Sequence, residues 1–138
     1  MTPAFADTFY FLALNNKSDD AHERAVAWSQ RSNSRLVTTA WIITELADAL
    51  SAPENRRGFH RTLQSLRADR FATIVEPSKE LLDAGLRFHE NRPDKEWSLT
   101  DCISFVVMER HGLTEALTAD HHFEQAGFKP LLKTSDAI

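Results

Sequence analysis

Cysteine, glycine and proline are all scarce in this sequence. Its 138 residues include one cysteine, Cys102, together with four glycines and five prolines. One cysteine cannot form an internal disulfide bond, so we expect a reducing compartment, the cytoplasm. The few glycines and prolines argue against a flexible linker, a low-complexity tract and a glycine-rich phosphate loop. We therefore expect one globular domain over residues 1–138.

Long apolar runs and an excess of positive charge are also missing. No segment approaches the roughly 18 apolar residues of a membrane span. The N-terminal apolar run is short, is interrupted by Asp7 and has no basic residues before it, which argues against a signal peptide. The formal net charge is −4, so bulk electrostatics would not hold a nucleic acid. Such binding would need a local basic patch or a metal ion.

Short apolar segments alternate with amphipathic segments of helical period along the chain. This alternation predicts an α/β fold built on a parallel sheet. In such sheets, ligands bind at the carboxyl ends of the strands. The predicted strands are residues 3–6, 36–38, 71–75, 115–118 and 128–132.

Acidic residues follow two of these predicted strands. Asp7 comes directly after the first strand, and Asp120 comes just after the fourth. The carboxyl ends of parallel strands meet at one edge of a sheet, so both side chains are predicted at the edge where ligands bind. Each residue also has a purely structural interpretation, Asp7 as a turn residue and Asp120 as a helix N-cap.

A third acid, Glu45, lies in a predicted helix whose N-cap is Thr39. At about 100° per residue, Glu45 falls roughly 100° from the centre of the apolar stripe, whereas Asp48 falls nearly opposite it. Glu45 is therefore the better candidate for a functional acid, and the alternative is an ordinary surface acid. The stripe consists of Ile42, Ile43, Leu46, Ala49 and Leu50.

The most apolar stretch that still carries an acid runs from Trp97 to Met108, WSLTDCISFVVM. Apolar side chains cover nearly every direction of its helical wheel, which predicts a buried helix. Asp101 stands at the start of this helix, where an unpaired charge would be costly. Ser98 and Asp101 also fit the S-x-x-D pattern of a capping box, so a capping role competes with a role as a ligand.

Carboxylates gathered at one sheet edge repel one another, and some would stay protonated unless a cation were bound. A set of oxygen ligands suits Mg²⁺ or Mn²⁺, and the chemistry that follows is metal-assisted hydrolysis of a phosphodiester bond. Zinc is the weaker alternative. His121 and His122 stand beside Asp120, but no further cysteine or histidine stands at a ligand spacing.

The predicted helix after Pro53 is locally basic. From Glu54 to Arg70 it holds five arginines against two acids, in a chain of net charge −4. One interpretation is a solvated helix face. The other is a contact surface for RNA phosphates or for a protein partner. The arginines of its polar face are Arg56, Arg57, Arg61 and Arg67.

Four blocks of the sequence resemble the PIN-domain family, and within it the VapC toxins of bacterial toxin–antitoxin pairs. They are Asp7 with Thr8 after the first strand, Glu45 in ITELADAL, Asp101 in WSLTDCISFVVMERHGL and Asp120 in ALTADHHFEQAGF. The resemblance covers essentially the whole chain, and the last two blocks are long and specific. The sequence shows no departure from the four-acid pattern.

The resemblance implies a three-layer α/β/α sandwich around a parallel sheet of four to five strands, with the activity of a Mg²⁺- or Mn²⁺-dependent endoribonuclease. Thr8 and Thr100 match positions at which the family often has a hydroxyl that supports the site. A homodimer is also implied, as is a small VapB-like antitoxin whose basic tail enters the acidic pocket. The implied metal ligands are Asp7, Glu45, Asp101 and Asp120.

Two other functions are compatible with the sequence. The same fold would serve a housekeeping nuclease in RNA processing or a DNA-directed relative, although the compact length favours the toxin. A module of a different class would dock a basic peptide in the acidic pocket without chemistry, and the complete set of acids argues against it. A nuclease assay with Mn²⁺ and a chelator separates enzyme from module.

Overall fold

The computed structural model describes residues 2–31 and 33–134. Within these ranges it contains five strands and seven helices, and none of those helices is long and apolar enough to cross a membrane. The α/β fold predicted from the sequence is confirmed. The strands are β1 (Ala4–Ala6), β2 (Leu36–Thr39), β3 (Ala72–Val75), β4 (Glu115–Leu117) and β5 (Lys129–Pro130). The helices are α1 (Thr8–Asn15), α2 (His22–Ser29), α3 (Ala40–Ala49), α4 (Pro53–Ala68), α5 (Lys79–Glu90), α6 (Leu99–Arg110) and α7 (His121–Gln125).

The strands form one parallel sheet in the order β3-β2-β1-β4-β5. From β1 the chain moves to β2 and β3 in one direction, whereas β4 and β5 lie on the other side of β1. The strand order therefore reverses between β1 and β4, and a crevice opens at the carboxyl ends of the strands at such a point. Ala6 is in register with Leu117, so Asp7 and Thr118 follow neighbouring strand ends.

Helices cover both faces of the sheet. Parallel crossovers are right-handed, so crossovers that run in opposite directions along a sheet place their helices on opposite faces. Helices α1 to α4 belong to the crossovers from β1 to β2 and β3, and they pack on one another. Helices α5 to α7 belong to the crossovers that lead to β4 and β5. The result is the α/β/α sandwich that the resemblance implied.

Helix α6 lies in the core, as its apolar wheel predicted. Every residue from Cys102 to Met108 is buried. The ring of Phe105 packs edge-on against the rings of Trp97 and Phe123, with centroids 5.1 and 5.0 Å apart. The first turn of α6 is therefore anchored by the rest of the helix.

Gly85 allows α5 and α6 to approach closely. A Cβ atom at this position would lie 2.3 Å from Cγ1 of Ile103, far inside van der Waals contact. The contact sets the depth at which α6 lies against its neighbour. It thereby helps to fix Asp101, which is in the first turn of α6.

Hydrogen bonds define the ends of two helices and confirm the predicted N-cap of α3. Thr39 Oγ1 accepts a hydrogen bond from the N–H of Ile42, so Thr39 is the N-cap of α3. Helix α6 ends in a Schellman motif, in which Gly112 has a φ of +67° and the N–H of Leu113 donates to the carbonyl of Met108 over 2.8 Å. A left-handed φ favours glycine, which has no Cβ to clash.

One predicted burial is wrong, and each predicted strand differs from the observed one by one or two residues at one or both ends. Ala49 was expected on the buried stripe of α3, but it is exposed because α3 buries only Ile42 and Leu46. The fourth strand ends at Leu117 because the N–H of Thr118 turns back to the carbonyl of Ala116, 3.0 Å away. This turn ends the regular pairing of β4, although the carbonyl of Thr118 still accepts from the N–H of Leu132 over 3.0 Å.

Candidate functional site

Asp7 is the most deeply buried acid of the candidate site. It follows β1 and precedes α1, and only 8% of its surface is exposed. The hydroxyl of Thr118 donates to its Oδ2 atom over 2.8 Å. This bond spans the boundary between β1 and β4, where the strand order reverses.

The electrostatics around Asp7 favour its protonated form. Burial raises the pKa of Asp7 from 3.8 to about 7, while the hydrogen bond from Thr118 lowers it. The negative charges of Asp101 and Glu45 act in the same direction as burial, because both repel an ionised Asp7. Ionisation of the Asp7 carboxyl group is therefore costly unless a cation lies beside it.

Glu45 is joined to this group through Thr8. The buried hydroxyl of Thr8 donates a hydrogen bond to Oε1 of Glu45, although Glu45 itself is exposed. Within the described ranges, the carboxylate of Asp48 makes no hydrogen bond, and Asp48 is exposed. The structure thus brings Glu45, and not Asp48, to the site, as the helical wheel predicted.

Asp101 both caps α6 and faces the site. Its N–H donates to Ser98 Oγ over 3.0 Å, and its Oδ2 accepts from the N–H of Ser98 over 3.2 Å, which completes the capping box. The same Oδ2 lies 3.0 Å from Nδ1 of His122. Both contacts use one oxygen, and within the described ranges Oδ1 of Asp101 has no hydrogen-bond partner. The capping role and the ligand role are therefore compatible.

Asp120 follows β4 and is the N-cap of α7. Its Oδ1 accepts from the N–H of His122 over 2.9 Å, and its own N–H donates to Oγ1 of Thr118 over 3.1 Å. The Nδ1 atoms of His121 and His122 both lie 3.6 Å from this Oδ1. Asp120 is thus connected to Asp7 through Thr118, and to Asp101 through His122.

Two residues of this network, Thr118 and His122, were not predicted to hold the acids. The role of Thr118 could have been predicted in part, because Thr118 is a polar residue at the end of an apolar predicted strand. The signal for His122 is weaker, because only the fold brings α7 to the N-terminus of α6. The sequence had indicated His122 only as part of a zinc site.

The remaining predicted residues lie outside the network. Thr100 is adjacent to Asp101, and its carbonyl accepts from the hydroxyl of Ser104 over 2.9 Å. The arginines of α4 are all exposed, and within the described ranges none makes a hydrogen bond or ion pair with the four acids. These arginines are Arg56, Arg57, Arg61 and Arg67.

Cys102 offers no alternative chemistry. Its thiol is buried in α6 beside Asp101. Burial raises its pKa from 9.0 to about 11, and the charge of Asp101 adds to this effect. The thiol stays protonated at neutral pH, and the reactive thiolate is not formed.

The donor set fits a hard divalent cation. Carboxylate oxygens dominate it, and Mg²⁺ and Mn²⁺ prefer oxygen ligands. One of these carboxylates, Asp7, is nearly fully buried and has no cationic side chain to pair with in the described ranges. A bound cation would remove this unfavourable burial of charge.

Comparison with known proteins agrees with this architecture. The chain is 28% identical to the 23S rRNA-specific endonuclease VapC20 of Mycobacterium tuberculosis over 127 aligned residues. The alignment covers 90% of this chain and 94% of that protein. The crystal structure of M. tuberculosis VapC20, described as a sarcin–ricin loop cleaving toxin, matches with a TM-score of 0.79 at 23% identity, over 91% of this chain and 95% of that one.

Two further crystal structures share the fold at lower identity. FitAcB from Neisseria gonorrhoeae has a TM-score of 0.67 at 16% identity, over 92% of this chain and 95% of that one. VapBC2 from Rickettsia felis, bound to a DNA fragment from its promoter, has a TM-score of 0.65 at 12% identity, over 96% of both chains.

The family assignment rests on the extent of the sequence match. The sequence model of the PIN domain family matches residues 4–129, a range that contains all four candidate acids. The similarity to VapC-type toxins that the sequence indicated is confirmed, and it extends over nearly the whole chain. This chain belongs to the PIN domain family.

Proposed function

We propose that this protein is a divalent-metal-dependent endoribonuclease that acts as the toxin of a toxin–antitoxin pair. The observation that carries the proposal is the position of Asp7. It is a nearly buried carboxylate with a raised pKa, it lies where the strand order reverses, and Glu45 and Asp101 are close enough to repel it. A protein without a cation to bind would gain stability by replacing such a group.

Four acids would hold the cation, which is Mg²⁺ or Mn²⁺. Bound there, it would lower the pKa of a coordinated water and stabilise negative charge on phosphate oxygens. The role of the four acids would be to hold this cation beside an RNA phosphodiester bond, and water would be the nucleophile of the hydrolysis. The proposed ligands are Asp7, Glu45, Asp101 and Asp120.

The surrounding side chains would hold these carboxylates in place before the ligand arrives. Thr118 fixes one oxygen of Asp7, and Thr8 fixes one oxygen of Glu45. Ser98 and His122 both engage Oδ2 of Asp101, which leaves Oδ1 available. Fixed ligands lose less entropy on binding, and this preorganisation favours both metal affinity and turnover.

The proposed biological role follows from the relatives. VapC20 is named for cleavage of 23S rRNA, so 23S rRNA is the first substrate to test. We further propose a cytoplasmic homodimer, silenced by a VapB-like antitoxin whose basic tail enters the acidic pocket. The exposed arginines of α4 would contact either RNA or this partner, because they form the basic face of an acidic chain.

The decisive experiment for the activity compares the protein with an Asp101→Asn variant. Purified proteins are incubated with ribosomal RNA and Mg²⁺ or Mn²⁺, with and without a chelator. Asparagine retains much of the cap, so the stability loss should stay within roughly 1 kcal/mol. Cleavage should nevertheless collapse, and the chelator should abolish wild-type cleavage. Asp48→Asn, one turn along α3 from Glu45 and exposed, is the matched control and should remain active.

A folded Asp101→Asn variant that cleaves RNA as fast as the wild type would refute the assignment. The toxin role has a separate test, because expression of the wild type should arrest growth and expression of Asp101→Asn should not. Co-expression of the neighbouring gene should relieve the arrest. Active protein that leaves growth unaffected would favour the housekeeping nuclease instead.

A further inference from the structure

Two adjacent histidines stand beside Asp120 on the solvent side of the acid network. The Nδ1 atoms of His121 and His122 lie 3.6 Å from the same atom, Oδ1 of Asp120. Their ring centroids are 4.4 Å apart. One potential ligand atom from each of these residues lies within 4.8 Å of the other two.

This geometry is close to that of a three-residue metal site. In a tetrahedral site with bonds of about 2.0–2.2 Å, neighbouring ligand atoms are roughly 3.3–3.6 Å apart. The separation of 3.6 Å between Nδ1 of His121 and Oδ1 of Asp120 needs little adjustment to meet this requirement, and His122 would complete the set through its other ring nitrogen. The adjustment is possible because the side chains of His121 and Asp120 are 67% and 34% exposed.

The ligand chemistry differs from that of the four-carboxylate network. Imidazole nitrogen suits Zn²⁺ and other transition-metal ions, whereas Mg²⁺ prefers oxygen. Asp101 also fixes the orientation of the His122 ring, since its Oδ2 lies 3.0 Å from Nδ1 of His122. With the Nδ1 proton directed at Asp101, the lone pair of the ring is on Nε2, and a carboxylate behind a histidine is a common support of zinc ligands.

We propose that Asp120, His121 and His122 form a binding site for a transition-metal ion of the Zn²⁺ class. Three protein ligands leave at least one coordination position for water. The site shares Asp120 with the proposed nuclease centre, and it is otherwise separate from Asp7 and Glu45. The proposal therefore stands on its own geometry and does not require the protein to be a nuclease.

One consequence does rest on the proposed function. Binding of Zn²⁺ engages Asp120 and fixes His122, both of which contact the nuclease centre. Zn²⁺ should therefore inhibit cleavage of RNA supported by Mg²⁺. Of the four acids, His121 approaches Asp120 alone, at 3.6 Å, which is too long for a hydrogen bond, so His121→Ala should keep the basal activity with Mg²⁺ and lose the inhibition by Zn²⁺.

The binding test uses metal-free protein titrated with Zn²⁺ against a fluorescent zinc indicator, in excess Mg²⁺, and with Co²⁺ followed by its visible absorption. The wild type should bind one equivalent. His121→Ala should weaken binding by more than the roughly 10- to 100-fold that loss of a supporting residue costs. His89→Ala removes an exposed histidine from α5 and should change nothing. Circular dichroism verifies that the variants are folded.

A second variant separates this site from the acid network. The double variant Asp7→Asn with Glu45→Gln should still bind Zn²⁺, because neither residue is a proposed ligand. Unchanged Zn²⁺ affinity in His121→Ala, or its loss in the Asp7 and Glu45 double variant, would overturn the proposal. A protein that binds Zn²⁺ as expected but never cleaves RNA would support this site and refute the proposed function.

Discussion

Thr118 donates its hydroxyl hydrogen to Asp7 across the boundary between two neighbouring strands, with Oγ1 and Oδ2 2.8 Å apart. The same Oγ1 accepts from the N–H of Asp120 over 3.1 Å. One hydroxyl therefore links the acid that ends β1 to the acid that follows β4. The hydrogen bond to Asp7 lowers the pKa of this carboxyl group, whereas burial raises it. The ionisation of Asp7 therefore affects the stability of the fold.

Replacing Asp7 should stabilise the metal-free protein at neutral pH. The pKa of Asp7 is raised from 3.8 to about 7, so its contribution to stability is present below pH 3.8 and is lost as the pH rises to about 7. At about 1.4 kcal/mol per pKa unit, the full penalty is on the order of 4 kcal/mol. Asp7→Asn should remove it, and urea unfolding in the presence of a chelator at several pH values measures the difference.

The control for this prediction is Asp48→Asn, which changes an exposed acid. Its stability should follow that of the wild type at every pH. Added Mg²⁺ should stabilise the wild type at pH 8 more than it stabilises Asp7→Asn. An Asp7→Asn variant whose unfolding free energy parallels that of the wild type from pH 4 to 8 would contradict the raised pKa.

Thr118→Val should raise the pKa of Asp7 further. The hydrogen bond from Thr118 stabilises the ionised carboxylate, so its removal leaves burial less opposed. Carboxyl chemical shifts of Asp7, followed by NMR across the pH range in metal-free protein, report this pKa directly. A lower pKa in Thr118→Val would show that the hydroxyl does not act as described.

Thr8→Val should impair the site while leaving the fold intact. The variant removes the hydroxyl that holds Glu45 but keeps the size of the side chain. Removing a supporting hydrogen bond of this kind typically costs about 10- to 100-fold in metal affinity or activity. Thr44→Val is the matched control, because among the described residues the Thr44 hydroxyl bonds only to the carbonyl of Ala40 within α3. Equal RNA cleavage by the two variants would exclude a supporting role for Thr8.

Reversing charge on α4 should weaken binding of RNA or of the antitoxin. We expect Arg57→Glu with Arg61→Glu to reduce affinity. For RNA, the slope of log affinity against log salt concentration should fall by about one for each phosphate that the arginines no longer neutralise. Arg35→Glu with Arg87→Glu applies the same change of net charge at exposed positions elsewhere. If RNA cleavage and antitoxin binding both survive in the first variant, α4 is only a solvated face.

Gly85→Ala should destabilise the fold, and the sign should reverse when Ile103 is truncated. The new methyl group would lie 2.3 Å from Cγ1 of Ile103, and overpacking of this kind costs about 1–3 kcal/mol. In an Ile103→Ala background the clash is gone, and alanine should gain about 1 kcal/mol from helix propensity. Chemical unfolding of the four proteins in this cycle measures the coupling.

Gly58→Ala in α4 is the control for this cycle. Its Cβ would meet the side chains of Asn15 at 3.4 Å and Arg61 at 4.0 Å, both ordinary contacts, so alanine should be neutral or stabilising there. Additive effects of Gly85→Ala and Ile103→Ala would contradict a direct contact between α5 and α6.

Sequence patterns predicted the parts of the site that depend on local order. Asp7 and Asp120 were recognised because each follows a short apolar strand, and the carboxyl ends of parallel strands meet at one edge. The capping box of Ser98 and Asp101 was visible in four consecutive residues. Glu45 was separated from Asp48 by its angle on the helical wheel alone.

The pairings between distant segments were not predictable from one sequence. The side chain of Thr118 reaches Asp7 only because the chain leaves β4 by a turn, and His122 reaches Asp101 only because α7 packs on α6. Ala49 was misplaced for a related reason. A helical wheel gives the direction in which a side chain points. Whether that side chain is buried depends on how far the neighbouring elements extend over that face of the helix.

The distance along the chain between Thr118 and Asp7 has a consequence for synthesis. The two residues are separated by 111 positions, and β1 pairs with β4 only after most of the protein has been made. Asp7 is therefore translated early, but its hydrogen-bond partner Thr118 is added late. A nascent chain thus has no assembled acid network until β4 emerges and takes its place in the sheet.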